Sequence, residues 1–274
     1  AARDPVAVVT STPARQLVWF APLLAGMLLS LAGCVTTSSR PEPPPTSSTD
    51  AAQYNMQLGV SYLRQNNLPA ARDKLEKALE QDPNLATAHA ALGVVFERLE
   101  DPDGAERHYR RAVDLNSSDP DNLNALAVFT CSRKDKPKEA LKLFDRAIAI
   151  PLSVKNANRT MLYTNAGTCA KKMDLALSEA YLRGALAQDP TFPDALYQLA
   201  DVSLERGNAL QARGFIERYL AAGKPTPAAL WLGVRIEQSL NDVAAAKRYA
   251  EQLRSTFPES RETRLLLNQS RSTG

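Results

Sequence analysis

Residues 55–83 read NMQLGVSYLRQNNLPAARDKLEKALEQDP, and a few positions in this stretch decide the fold. Gly59 is a small residue in a first apolar segment; Ala71 is a small residue in a second; Leu75 follows four positions later; Ala78 then precedes Pro83. Small residues let two helices approach closely, and a large one fills the gap to the next pair. Pro83 stops one helix and readies the next.

The same positions recur down the chain. The first small residue returns as Gly93, Ala127, Ala166, Ala200 and Gly233, at spacings of 34, 34, 39, 34 and 33 residues. The second returns as Ala105, Ala140, Ser178, Ala212 and Ala245, and the bulky position as Tyr109, Phe144, Leu182, Ile216 and Tyr249. Ala185 with Pro190 repeats the closing signature, which weakens at Tyr219 and Gln252. A 34-residue period with these residue types resembles the tetratricopeptide repeat, a helix-turn-helix unit. The resemblance implies an all-α, right-handed superhelical solenoid of six units over residues 52–259. Ser260 to Gly274, with Leu265, Leu266 and Leu267 among Arg and Glu, reads as a capping helix and tail that shield the last unit.

Unit three departs from the period. It carries an extra residue near Lys134-Asp135-Lys136-Pro137-Lys138 and a longer exit from Ile150 to Asn156, and insertions of this kind map to loops. Arg133, Lys134, Lys136 and Lys138 form either a solvated turn or a contact for an anionic partner.

Near the N-terminus the apolar run LVWFAPLLAGMLLSLA, residues 17–32, ends in Leu31-Ala32-Gly33-Cys34. With Arg3 and Arg15 ahead of it and Pro22, Gly26 and Ser30 within it, the run is shorter than the about 20 apolar residues of a spanning helix and fits a removed signal peptide, residues 1–33. Leu-Ala-Gly-Cys resembles a bacterial lipobox. That resemblance implies S-diacylglycerol and N-acyl chains on Cys34, the membrane anchor and sole cofactor-like group; an ordinary cleaved signal with an incidental cysteine is the alternative. Val35 and Thr36, in place of Asp, favour the outer membrane within that family. Several acyl chains hold a domain firmly, at roughly 0.8 kcal/mol per buried methylene. Residues 34–51, rich in Pro, Ser and Thr, cannot bury enough surface to fold and form a tether.

Apolar residues are 44% and aromatics 6% of the chain, the balance of an Ala- and Leu-rich helical array. Lys+Arg number 33 against Asp+Glu 30, and without residues 1–33 the counts are 31 and 29. So mild a balance gives no electrostatic case for nucleic acid. Cys131 and Cys169, in the first helices of units three and four, are either buried thiols or a disulfide, since export permits the bridge but register must bring the α-carbons within about 7 Å. His89 and His108 lack a partner at ligand spacing and read as packing or surface residues. No phosphate loop, Gly-x-Ser-x-Gly elbow or paired-cysteine motif occurs, so no catalytic residue, metal or small-molecule substrate is expected.

Function is therefore expected on a surface. The first helices of stacked pairs line a concave groove suited to a peptide or partner helix. Registering on the small residues places Met56, Val60, Leu63, Val94, Glu97, Asn124, Val128, Tyr163 and Tyr197 there, followed by Asp201 and Leu204, with an apolar partner segment favoured on units one to three. Met56, Val60, Ala90, Val94 and Asn124 stand where repeat domains that grip a C-terminal carboxylate carry Lys, Asn and Arg, so that clamp is missing.

A lipobox, a short Pro-rich tether, six units, the segment NMQLGVSYL at 55–63 and the long third exit together resemble the type IV pilus biogenesis and stability lipoproteins, the pilotins of the pilus secretin. The resemblance implies a lipid-anchored protein on the periplasmic face of the outer membrane that binds the secretin subunit and promotes its localisation and multimerisation. Two alternatives stand beside it: a lipoprotein scaffold for another envelope machine, in outer-membrane protein assembly or peptidoglycan synthesis, and an enzyme-associated scaffold or cryptic hydrolase.

Overall fold

The computed structural model describes residues 47–152 and 158–272. Cys34, the apolar run 17–32 and most of the tether lie outside the described residues, as do positions 153–157 of the long third exit. Among the described residues there are thirteen α-helices and no strand. They follow in pairs: α1 (Ser48–Arg64) and α2 (Leu68–Gln81), α3 (Ala86–Arg98) and α4 (Pro102–Leu115), α5 (Pro120–Ser132) and α6 (Pro137–Ala149), α7 (Arg159–Ala170) and α8 (Leu175–Gln188), α9 (Pro193–Glu205) and α10 (Ala209–Ala222), α11 (Pro227–Ser239) and α12 (Val243–Thr256), with α13 (Arg261–Ser272) after them. This is the all-α solenoid that the repeats imply. The first helix opens inside the stretch read as tether, because the Ser47 side chain accepts a hydrogen bond from the Asp50 amide and caps it.

Local chemistry sets the helix ends. Asn67, Asp101 and Asp242 each accept a bond from the amide three residues on, and a residue with positive φ stands immediately before each of them: Asn66, Glu100 and Asn241. Asp135 and Gly207 hold the same left-handed conformation before Lys136 and Asn208. That conformation reverses the chain within one residue, and Asn, Asp and Gly tolerate it best. Pro in the first turn opens α2, α4, α5, α6, α9 and α11, where its missing N–H has no helical partner to lose.

The turn of unit four has no such residue, and it shifts the register. A Cβ added at Gly59 would lie 2.6 Å from Leu75 Cγ and 3.2 Å from the Ala71 carbonyl; one added at Gly167 would lie 2.6 Å from Leu182 Cγ and 3.3 Å from the Ser178 carbonyl. Gly167, not Ala166, is therefore the close-approach residue of unit four. Unit six slips the other way. Ala246 and Leu253 take the places expected of Ala245 and Gln252, with Leu253 fully buried and Gln252 exposed, while Tyr249 keeps the bulky position, its ring over Gly233 as the Tyr109 ring is over Gly93. The amide of Phe257 bonds the Leu253 carbonyl at 2.9 Å, as Asp82 bonds Ala78 at 2.9 Å, so Leu253 holds the place of Ala78.

Each first helix packs on the second helix of its own unit and on that of the unit before, and its backbone also comes close to the next first helix, whereas second helices meet only through side chains, as Tyr181 meets Asp145 and Gln211 meets Glu179. An array packed more tightly along one side curves toward it, which puts the first helices on the inner face. The Cys131 and Cys169 sulfurs are bonded, with α-carbons 6.0 Å apart, tying α5 to α7 across the irregular third exit. Lys172 adds a bond from its Nζ to the Cys131 carbonyl at 2.9 Å and an ion pair with Asp135 at 2.9 Å.

Candidate functional site on the inner face

In units one to five the residue after the close-approach position runs along the inner face as one row, Val60, Val94, Val128, Thr168 and Asp201, whereas its counterpart in unit six, Val234, is buried. The row is apolar over units one to three and polar beyond. Met56, Val60 and Val94 are half-buried against the N-terminal core, while Val128 keeps 38% of its surface in solvent. Leu63 departs from the expected groove. It is buried in that core, so it holds unit one together and offers no contact surface, and its carbonyl accepts from Arg98 Nη1 at 3.1 Å.

Polar side chains stitch the first helices together along this face. Glu97 accepts from the Tyr109 hydroxyl at 3.1 Å and pairs with Arg133 at 3.1 Å. Burial, and then the Glu97 charge, push the Tyr109 phenol far above its usual range, so it stays a donor. Asn124 accepts from Asn165 at 2.9 Å, and Thr168 donates to Gln198 at 2.6 Å. Lys171 pairs with Asp201 and, at 2.8 Å, with Glu205, and Arg235 approaches Asp201 at 3.6 Å. Burial opposes the Lys171 charge, but the two carboxylates more than offset it and raise its pKa.

Tyr163 is not on this face. Its ring lies over Gly184, where an added Cβ would come within 2.7 Å of it, so it packs onto α8 of its own unit. The one-residue slip at Gly167 is the cause: it moves Thr164, Thr168 and Lys171 to the inner positions that the sequence period assigns to Tyr163 and its neighbours. Tyr197 stays with the inner helices, its ring tilted against Tyr219 at 5.9 Å, and burial, then Asp201, raises its phenol pKa.

Two basic residues of the third turn, Arg133 and Lys134, pair with acids of unit two, and Lys136 pairs within its own unit. Arg133 meets Glu97 and Glu100, Lys134 meets Asp103 at 3.0 Å and Glu106 at 2.9 Å, and Lys136 meets Glu139 at 3.8 Å. The solvated, internally balanced reading fits these contacts. The two histidines, in contrast, come together: His89 Nδ1 and His108 Nδ1 are 3.0 Å apart. Burial, then the neighbouring His89 and Arg107, push the His108 imidazole down to about 4. Nothing in their 19-residue separation signals this, because it depends on how α3 faces α4. Among the described residues no group of three or more His, Cys, Asp or Glu converges as a metal-ligand set, and no helix is long and apolar enough to cross a membrane.

Paired helices of this length, with a small residue set against a large one in unit after unit and the first helices inward, define a tetratricopeptide-repeat protein. Tetratricopeptide-repeat models match residues 50–122 and 171–232. The chain is similar to the type IV pilus assembly protein PilF of Pseudomonas aeruginosa, with 29% identity over 244 residues, 88% of this chain and 95% of that protein. The solved structure of Pseudomonas aeruginosa PilF matches with a TM-score of 0.70 and 27% identity, covering 81% of this chain and 99% of that one. The structure of PilW, a widely conserved type IV pilus biogenesis factor, matches with a TM-score of 0.74 and 28% identity, covering 79% of this chain and 98% of that one.

Proposed function

We propose that this chain acts in type IV pilus biogenesis as a binding protein without catalytic chemistry: lipid on Cys34 holds it at the periplasmic face of the outer membrane, where its inner face takes up the secretin subunit and promotes localisation and multimerisation of that subunit. The observation that carries the reading is similarity along nearly the whole chain, 88% of it, to one pilus assembly protein. The inner face adds a physical reason. Val60, Val94 and Val128 form an apolar row suited to an apolar client segment, and the polar row from Thr168 to Asp201 limits how far that segment extends.

Anchoring raises the concentration of the binding face where the client arrives, without requiring any new contact. Deleting the gene tests the reading. Loss of outer-membrane secretin multimers and of twitching motility is the expected result, and normal levels of both contradict it. A Cys34→Ser protein is expected to keep its fold and lose its place, leaving secretin multimers depleted in the outer membrane; full assembly by that variant contradicts the role of the anchor.

A further inference from the structure

We propose that His89 and His108 form a binding site for a divalent transition-metal cation of the copper and zinc class, which clamps α3 to α4 in unit two. The two rings meet nitrogen to nitrogen, with 3.0 Å between His89 Nδ1 and His108 Nδ1. On its far side His89 Nε2 lies 3.2 Å from the Pro83 carbonyl oxygen. That second contact requires the hydrogen on Nε2, so Nδ1 of His89 faces His108 with its lone pair. An imidazole that donates its far N–H to a backbone carbonyl while presenting the other nitrogen is in the usual pose of a metal-bound histidine.

The spacing suits two ligands on one ion. With metal–nitrogen bonds of about 2.0–2.1 Å, neighbouring nitrogens stand roughly 2.8–3.4 Å apart, from the square to the tetrahedral arrangement. The 3.0 Å separation falls inside that range before any metal arrives. The ring centroids stand 5.2 Å apart, nearly end to end, so His108 has to move its hydrogen from Nδ1 to Nε2, a tautomer change that releases no proton overall, and the two rings have to turn until their Nδ1 lone pairs converge on the ion. Phe96 stacks on the His108 ring at 5.1 Å and 11°, and the Arg72 guanidinium lies over the Phe96 ring at 5.1 Å.

Both rings are half-buried, which leaves room for water to complete the coordination. The charges around the pair come from two helices. Arg72 on α2 is paired with Glu76 at 2.7 Å, while on α4 Arg107 lies close to His108 and Arg111 is bonded to the Asn84 side chain at 2.9 Å. This cationic surround weakens every dication alike, and the order of imidazole affinities places Cu2+ above Zn2+ at the site.

Titration calorimetry of Cu2+ and of Zn2+ into the untagged mature chain at pH 7.5 tests this, with His89→Ala and His108→Gln beside it. The expected result is one saturable site per chain, tighter for Cu2+, weakened at least about tenfold in each variant, with a metal-dependent rise in Tm that the variants lack. Electron paramagnetic resonance of the Cu2+ protein is expected to show two imidazole nitrogens, and this holds even if one variant does not fold. Absence of saturable binding, binding unchanged in a folded variant, or a Cu2+ spectrum without two imidazole nitrogens overturns the proposal.

Discussion

Gly167 lies so close to Leu182 that a Cβ at position 167 would stand 2.6 Å from Leu182 Cγ, and Leu182 is fully buried. Leu182 cannot retreat without opening the contact between α7 and α8. Gly167→Ala should therefore destabilise the protein by about 1–3 kcal/mol in denaturant unfolding, as overpacking does. A Gly167→Ala protein as stable as the wild type would show that unit four does not take the Gly167 register.

The Cys131–Cys169 bond closes a 38-residue separation where the repeat period is interrupted. Loop-closure entropy alone gives about 4 kcal/mol for a loop of that size. Cys131→Ser, or reduction before unfolding, is expected to lower the unfolding free energy by up to that amount. The loss should be seen in the denaturation midpoint; an unchanged midpoint contradicts a stapling role.

Glu237 is 2% exposed, and Arg213 supplies its counter-charge through Nε at 2.9 Å and through a second, closer contact. Removing only one member leaves a buried charge without a partner. Arg213→Met should cost about 3–5 kcal/mol, while the double change Arg213→Met with Glu237→Leu should recover most of it. Thermal unfolding of the three variants measures the difference, and a double variant no better than Arg213→Met alone contradicts the pairing.

Glu179 is buried in the C-terminal half and accepts from Arg183 at 2.8 Å, from Gln211 at 3.3 Å and from Arg206. Burial works to raise its pKa, but the guanidinium contacts overcome it and hold the carboxyl below its usual value of 4.5. The folded state thus binds the proton less readily than the unfolded one. The resulting stability is present above about pH 4.5 and is lost as pH falls through the depressed pKa. Unfolding midpoints measured from pH 6 to pH 3 should fall less steeply in Glu179→Gln than in the wild type; equal slopes contradict the assignment.

The sequence reveals a great deal of this fold because small residues recur at Gly59, Gly93 and Ala127, buried where a partner helix comes close. It misleads where two adjacent residues satisfy the same requirement. Ala166 and Gly167 are both small, so the 34-residue spacing to Ala200 selects the wrong one and carries Tyr163 onto the inner face. Ala245 and Ala246 repeat the problem, and the extra residue before Asn241 hides there. Leu63 misleads for another reason: it lies on the inner stripe by period, yet the approach of α3 covers it. The Lys171 and Asp201 pair and the meeting of His89 with His108 depend on how separate helices face one another, which periodicity along one chain does not encode.

Binding of the purified secretin subunit to the mature chain, measured for the wild type and for Val94→Glu with Val128→Glu, tests most directly whether the inner face holds the client. Val128 is exposed and Val94 half-buried, so the paired change alters the face more than the core, and circular dichroism checks the fold. Two charges placed in an apolar contact should weaken binding at least about tenfold, or about 1.4 kcal/mol. Equal binding by a folded double variant would contradict the inner face as the secretin site.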